Sequence, residues 1–233
     1  MKEPKEIFAY IDEKCRAEQR IDLSGKKIIV TAGGTVEPID PVRFLTNRSS
    51  GKMGYALAEN AAAFGADVTL VHGPVRLADI PGVEMVETVT ADEMASEVLK
   101  RYEEADVVIM AAAVADYRPE KFYDEKVKKS DGDWNLRLVR NVDILKLLGE
   151  KKTKQKLVGF AAETENLLEN AQKKLTKKNV DLLVANDVSR KDIGFGSDEN
   201  EVFLLFRNGA KKKISKTSKE KIAQDVLSEL SSL

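Results

Sequence analysis

The chain has one cysteine, Cys15, and one histidine, His72, among 233 residues. A single thiol excludes an intrachain disulfide and any thiolate metal cluster. A Ser-His-Asp triad would have to use His72, which follows the strand-like stretch VTLV, and no G-x-S-x-G nucleophile elbow occurs anywhere. Excess charge is missing too: 38 Lys and Arg stand against 39 Asp and Glu, a net charge of -1. That balance gives no general pull toward nucleic acid or an anionic membrane, so an anionic ligand must be caught locally. No apolar run is long enough to span a bilayer, and the opening MKEPKEIFAYIDEKCRAEQ is charged throughout, without the apolar core of a signal peptide. A cytoplasmic location with no nucleic-acid or membrane partner is expected. Two phosphate-binding signatures are also absent. SSGKMG has Met53 where a Walker A motif needs Ser or Thr, with no glycine five residues before Gly51, and the turn GGTVEP lacks G-x-G-x-x-G.

With 42% hydrophobic and 33% charged residues, the composition is that of a folded protein with a sizeable core. The length fits one α/β domain with additions, on a scale of roughly 100–200 residues per domain. The apolar run in KKIIVTAGG stops at Gly33 and Gly34, as a buried first strand would. Met53, Leu57, Ala61 and Phe64 then recur at helical spacing over 52–64. ADVTLVHG and VEMVETV read as strands, and Thr90 with Glu93 forms a capping box heading a helix that reaches about Glu103. DVVIMAAAVADY reads as a strand ending in small residues, and EKVKKSDGDWNLRLVR alternates on both sides of an Asp-Gly turn, which predicts a hairpin. After it come a helix from about Asp143, the strand KLVGFAAE, a helix over 166–178, the strand DLLVAND, a hairpin around Asn208-Gly209 and a helix from about Ser218. This order predicts an α/β, Rossmann-like fold: a mainly parallel sheet with helices on both faces and added β-hairpins. Such sheets bind ligands beyond the carboxyl ends of their strands, which makes the residues there the site candidates.

The first strand is followed by TAGGTVEPIDPVRFLTNRSSGKMG, read as a loop of roughly 20 residues, a length uncommon without function when the loop lacks secondary structure of its own. Ser49, Ser50 and Gly51 abut the start of a helix, where backbone N–H groups and the helix dipole favour a phosphate or carboxylate. An ordinary serine cap would explain the same residues. In AAAVADYRP, small residues would let a flat ligand approach the backbone, and Asp116 is either a turn aspartate or a rim carboxylate that accepts from a ligand amine or helps to hold Mg²⁺. KVKK puts Lys126 and Lys128 on one face of the hairpin arm, a pattern that an aggregation-resistant edge strand explains on its own. On helix 166–178 the apolar stripe is Leu167, Leu168, Ala171 and Leu175. At about 100° per residue, Lys173 and Lys177 fall on the solvated side, Lys178 within about 40° of the stripe's centre and Lys174 at its margin. Snorkelling explains such lysines; so does a phosphate gripped between them.

TAGGTVEPIDPVRFLTNRSSGKMG, AAAVADYRP, EKVKK, VGFAAET and DLLVANDV, in this order over residues 26 to about 208, closely resemble phosphopantothenate-cysteine ligase, also called phosphopantothenoylcysteine synthetase. The resemblance implies an enzyme of coenzyme A biosynthesis in which CTP activates 4'-phosphopantothenate as an acyl-cytidylate with release of pyrophosphate. The amine of L-cysteine then displaces CMP, with Mg²⁺ assisting. It implies nucleotide contacts from Met110, Ala111, Ala112 and Asp116, from Val142, Asp143, Ile144 and Leu145, and from Phe160, Lys174 and Lys178. Lys126 matches the first lysine of a K-x-K-K flap that closes over the site, often from the partner of a homodimer. Asn47 and Arg43 match residues that handle the acyl-cytidylate and its conversion to product, with Ala113 nearby.

Many relatives carry proline where this chain has Val142, which alters loop stiffness but not the backbone groups offered to a nucleotide. In bacteria the domain is often fused to a flavin-dependent phosphopantothenoylcysteine decarboxylase, so a stand-alone ligase and an excised domain are both expected forms. The division expected is a linker helix over 1–24 and a ligase domain over 25–233 with a hairpin flap at about 120–140. Two other classes compete: an NADP-dependent Rossmann-like oxidoreductase, against which the missing dinucleotide fingerprint argues, and a non-catalytic nucleotide sensor.

Overall fold

The computed structural model describes residues 21–129, 132–163, 167–187 and 197–233. In chain order the strands are β1 (Lys27–Ala32), β2 (Val36–Pro38), β3 (Phe44–Thr46), β4 (Asp67–His72), β5 (Glu84–Glu87), β6 (Val107–Met110), β7 (Tyr117–Pro119), β8 (Leu138–Arg140), β9 (Lys156–Glu163), β10 (Leu182–Asp187), β11 (Glu199–Phe206) and β12 (Lys211–Ser218). The helices are α1 (Lys52–Ala63), α2 (Ala91–Tyr102), α3 (Ile144–Lys151), α4 (Leu167–Lys177) and α5 (Lys219–Ser228). The main sheet has eight strands in the order β12-β11-β10-β9-β6-β1-β4-β5. From β10 to β5 every neighbouring pair is parallel, and β11 and β12 add an antiparallel edge. This is the expected Rossmann-like α/β architecture.

Strand alternation sends successive side chains to opposite faces, and the buried residues follow it. Ile28, Val30, Leu182 and Val184 pack with Leu57 of α1 and Ile222 and Val226 of α5. On the other face Ile29, Val108 and Leu157 meet Met94 and Val98 of α2 and Leu148 of α3, while Leu183 and Ala185 meet Ala171 and Leu175 of α4. Each Val, Leu, Ile or Met among them contributes about 1.5–3 kcal/mol by leaving water, the alanines less. The helix starts are built as their residues suggest: the Thr90–Glu93 capping box heads α2, Asp143 caps α3, and Ser218 caps α5.

Several expectations need correction. The long segment after β1 has structure of its own, because β2 and β3 pair as a small antiparallel hairpin turned around Asp40. The strand expected in DVVIMAAAVADY ends at Met110, where the backbone leaves the sheet. Strand alternation on both sides of the Asp-Gly turn is not found: the ladder is the short pair β7–β8, and 120–129 and 132–137 are irregular. Lys126 and Lys128 are therefore not paired on a strand face. Charged residues there have no apolar alternation against a sheet to fix an extended ladder. The linker helix expected over 1–24 lies outside the described residues except for 21–24, which are not helical. Leu23 is buried in the main core.

Candidate active site

The chain passes from β1 to β4 and β5 on one side, then returns to β6 on the other side of β1. Beyond the carboxyl ends of β1 and β6 lies the switch point, where an open α/β sheet leaves a crevice. Gly33-Gly34 follows β1 and Ala111, Ala112 and Ala113 follow β6; Gly34 and Ala113 form a parallel bridge. The Ala113 N–H donates to Gly33 at 2.8 Å, and the Ala111 N–H to Ile109 at 3.2 Å. Two fully buried threonines fasten the rest: Thr31 Oγ1 accepts from Ala112 N at 3.1 Å, and Thr35 Oγ1 accepts from Ala115 N at 3.0 Å. With its N–H groups occupied, the 111–113 turn meets a ligand with methyl groups and carbonyl oxygens.

Asn47 follows β3 and is brought to the same point. Its Nδ2 donates to the Ala113 carbonyl, and its Oδ1 accepts from Ser49 N at 3.0 Å. Nδ2 carries two hydrogens, so one more donor remains beside the cleft. A side chain at position 34 would put Cβ 2.5 Å from Asn47 Oδ1, which explains the glycine. Gly51, at the N-cap of α1 with φ of 79°, leaves this helix with no side-chain cap. The serine-cap explanation therefore fails for Ser49 and Ser50. Both line the cleft with Gly51, Phe160, Asn186 and Lys219, around a partly open volume of about 130 Å³. Lys219 is 5% exposed, and burial, then the charge of Lys52, lowers its pKa.

The expected nucleotide residues divide. Asp143 and Lys178 are an ion pair at 3.0 Å. Lys174 and Lys178 are half-buried, whereas Lys173 and Lys177 are exposed. The side chains of Met110 and Ile144 belong to the core, so these two offer a ligand backbone only. Val142 and Leu145 pack against that core from its margin. Asp116 is exposed at the rim, its carbonyl held by Asn141 N at 2.9 Å. Among the described residues no group of three or more His, Cys, Asp or Glu is arranged to hold a metal.

Lys126 and Arg43 lie elsewhere. They line a separate cavity with Val127, Lys128 and Trp134, which shares no residue with the switch-point cleft. Sequence reasoning missed Thr31, Thr35, Asn141, Asn186 and Lys219. Asn186 had a signal, a polar residue closing the strand DLLVAND; a lysine opening a helix gives none.

Fold and cleft together define a Rossmann-like α/β protein with a crevice of mixed polar and apolar lining, glycine included, at its switch point. The chain belongs to the family described as DNA/pantothenate metabolism flavoprotein C-terminal domain, which matches residues 23–233. It is 47% identical over 234 residues to the coenzyme A biosynthesis bifunctional protein CoaBC of Bacillus subtilis (strain 168), covering 100% of this chain and 58% of that protein. With the protein of the same name from Haemophilus influenzae the identity is 42% over 231 residues, covering 99% and 57%. The chain thus spans less than two thirds of these relatives. The crystal structure of the C-terminal domain of a CoaBC protein superposes with a TM-score of 0.77 at 45% identity, covering 89% of this chain and 95% of that one. Among the described residues no helix is long and apolar enough to cross a membrane.

Proposed function

We propose that this chain is a phosphopantothenate-cysteine ligase of coenzyme A biosynthesis. The observation that carries the reading is Asn47, its amide clamped between the Ala113 carbonyl and the Ser49 N–H at the switch-point cleft, beside a helix start that no side chain caps. Family membership and relatives named for coenzyme A biosynthesis support it. In the first step a carboxylate oxygen of 4'-phosphopantothenate attacks the α-phosphorus of CTP and the bond to pyrophosphate breaks. In the second the cysteine amine attacks the acyl carbon, loses a proton, and CMP leaves. The first step crowds negative charge together, and backbone N–H groups at Ser50 and Gly51 with Lys174, Lys178 and Lys126 are the stabilising groups. Asn47 donates to the acyl oxygen in the second without adding charge.

Mg²⁺ fits a lone rim carboxylate, Asp116, better than an all-protein cage, because this ion keeps waters and nucleotide phosphates as ligands. Bound there it would neutralise phosphate charge. The reading includes a homodimer. Val42, Phe44, Phe122, Tyr123 and Trp134 are large exposed hydrophobics on the β2–β3 hairpin and the flap, and a partner surface would cover them. A second copy would receive Lys126 in its cleft, which accounts for the distance between Lys126 and the cleft of its own chain. Lys126→Gln and Asn47→Asp subunits, each nearly inactive, should then regain activity on mixing; mixing that restores nothing despite proven subunit exchange overturns the shared site. Association with a phosphopantothenoylcysteine decarboxylase fits relatives that are named bifunctional.

Incubation with CTP, phosphopantothenate and cysteine tests the whole reading. Pyrophosphate release coupled to amide formation is expected. Turnover only with a nicotinamide cofactor, or nucleotide binding without turnover, would replace it with an oxidoreductase or a sensor.

A further inference from the structure

Asp40 sits at the tip of the β2–β3 hairpin with its side chain wholly buried. Its Oδ1 accepts from the N–H groups of Val42 at 2.9 Å and Arg43 at 2.8 Å, which closes the turn. Its Oδ2 accepts from Arg43 Nε at 3.0 Å and Nη2, and from the flap, Val127 N, at 3.2 Å. Arg43 Nη2 also donates to the Val127 carbonyl at 2.9 Å. Both backbone polar groups of Val127 are thus held by one aspartate–arginine pair, as a neighbouring strand would hold them. The guanidinium stacks over Trp134 at 4.5 Å, Trp134 meets Tyr123 edge-on, and Tyr123 N donates to Ile39 at 2.9 Å. Segments on both sides of the flap's tip converge on this pair.

We propose that Asp40 is the positioning residue of the flap: with Arg43 it clamps the backbone of Val127 and so fixes the point from which Lys126, the preceding residue, reaches nucleotide. The inference rests on the ligase reading for its consequence, and on geometry alone for the clamp. Arg43 then acts through the flap rather than on the acyl group. Asp40→Asn puts an amide against a guanidinium where a carboxylate accepted a fork of bonds, and the clamp opens.

The test uses the intact chain and its only tryptophan, Trp134. Acrylamide quenching of Trp134 and amide exchange at Val127 report the clamp; pyrophosphate release reports its consequence. Trp134 is 41% exposed, so opening in Asp40→Asn should raise the quenching constant about twofold while the thermal midpoint holds. The first half-reaction should slow by about tenfold, the rate equivalent of one charge-assisted hydrogen bond. Combined with Lys126→Gln, Asp40→Asn should add nothing to the loss that Lys126→Gln causes alone, because the clamp has no lysine left to position. Multiplying losses, or unchanged quenching, overturns the proposal. Arg43→Lys, which keeps the charge and loses the fork, should behave as Asp40→Asn does and serves if that variant does not fold. If the wild type releases no pyrophosphate, the ligase reading fails, and the clamp still stands or falls on Trp134 and Val127.

Discussion

Around the cleft, Ala112, Ala113 and Ala115 are fastened to β1 and its following turn by backbone bonds and by two threonines with no exposed surface. In the flap, Val127 is fastened by a carboxylate and a guanidinium on a two-strand hairpin outside the main sheet. The cleft shares its supports with the core and loses its shape only when the core does. The flap can open by itself, since the groups that hold it are few and stand apart from the buried apolar layers. A site that must exclude water and later release product has use for both kinds of support. The comparison predicts where variants act on chemistry, where on stability and where only on the flap.

The largest effect is expected at Asn47. On the proposed ligase reading, Asn47→Asp puts negative charge where a donor would face the acyl group and should slow the second half-reaction by about 10²–10³-fold, the range for losing one such donor. Acyl-cytidylate should accumulate and be trapped by mass spectrometry. Equal slowing of both half-reactions would mean that Asn47 builds the cleft without acting on the acyl group.

Helix α4 and the residue after it, apart from both cleft and flap, supply an internal control for the proposed nucleotide contacts. Lys174→Ala and Lys178→Ala should each weaken CTP binding by about 1.5–3 kcal/mol, the worth of a hydrogen bond to a charged group. Lys173→Ala and Lys177→Ala, at exposed positions, should stay within about 0.5 kcal/mol. Titration calorimetry that finds four equal losses would assign the effect to general positive charge.

How far the sequence carried the reading follows the same division. The sheet and its helices were legible because apolar periodicity is written locally, as in Ile28 to Ala32 or in the stripe of α4. Asn47 and Ser49 to Gly51 were legible by resemblance and by position after a strand. The threonine ties were not, because Thr31 to Ala112 and Thr35 to Ala115 each span about 80 positions of chain. Asp40 in PIDPVRF reads as a turn residue; that its second oxygen meets Val127, 87 positions on, is decided only by folding. The flap was misread as a regular hairpin for a related reason: Asp131-Gly132 signals a turn, and nothing in 120–129 says that side chains of another hairpin replace the ladder.

A smaller effect, and one on stability, is expected from Thr35→Val, which nearly keeps volume and removes the acceptor of Ala115 N. Leaving that part-buried donor unpaired should cost about 1 kcal/mol and lower the thermal midpoint by a few degrees. Trp134 quenching should not change below the transition. Loosening of Trp134 by Thr35→Val while the midpoint held would break the division between cleft and flap.

The smallest expected effect is the response of the flap to mild acid. The Arg43 guanidinium, followed by three backbone N–H groups, holds the Asp40 carboxyl well below the ordinary value of 3.8, against burial, which pushes it up. Because the folded value is the lower one, the clamp's contribution is fully present above 3.8 and fades only as pH falls below it, toward the depressed value. Trp134 quenching should therefore stay flat from neutral pH down to about 4, the region in which an unperturbed carboxylate begins to protonate. In Asp40→Asn the quenching should be high and equally flat, since the titrating group is gone. Loosening of Trp134 in the wild type already at pH 5 to 6, with the thermal midpoint unmoved, would mean that a group titrating well above the ordinary carboxylate value holds the flap, and the pairing of Asp40 with Arg43 would no longer explain its seat.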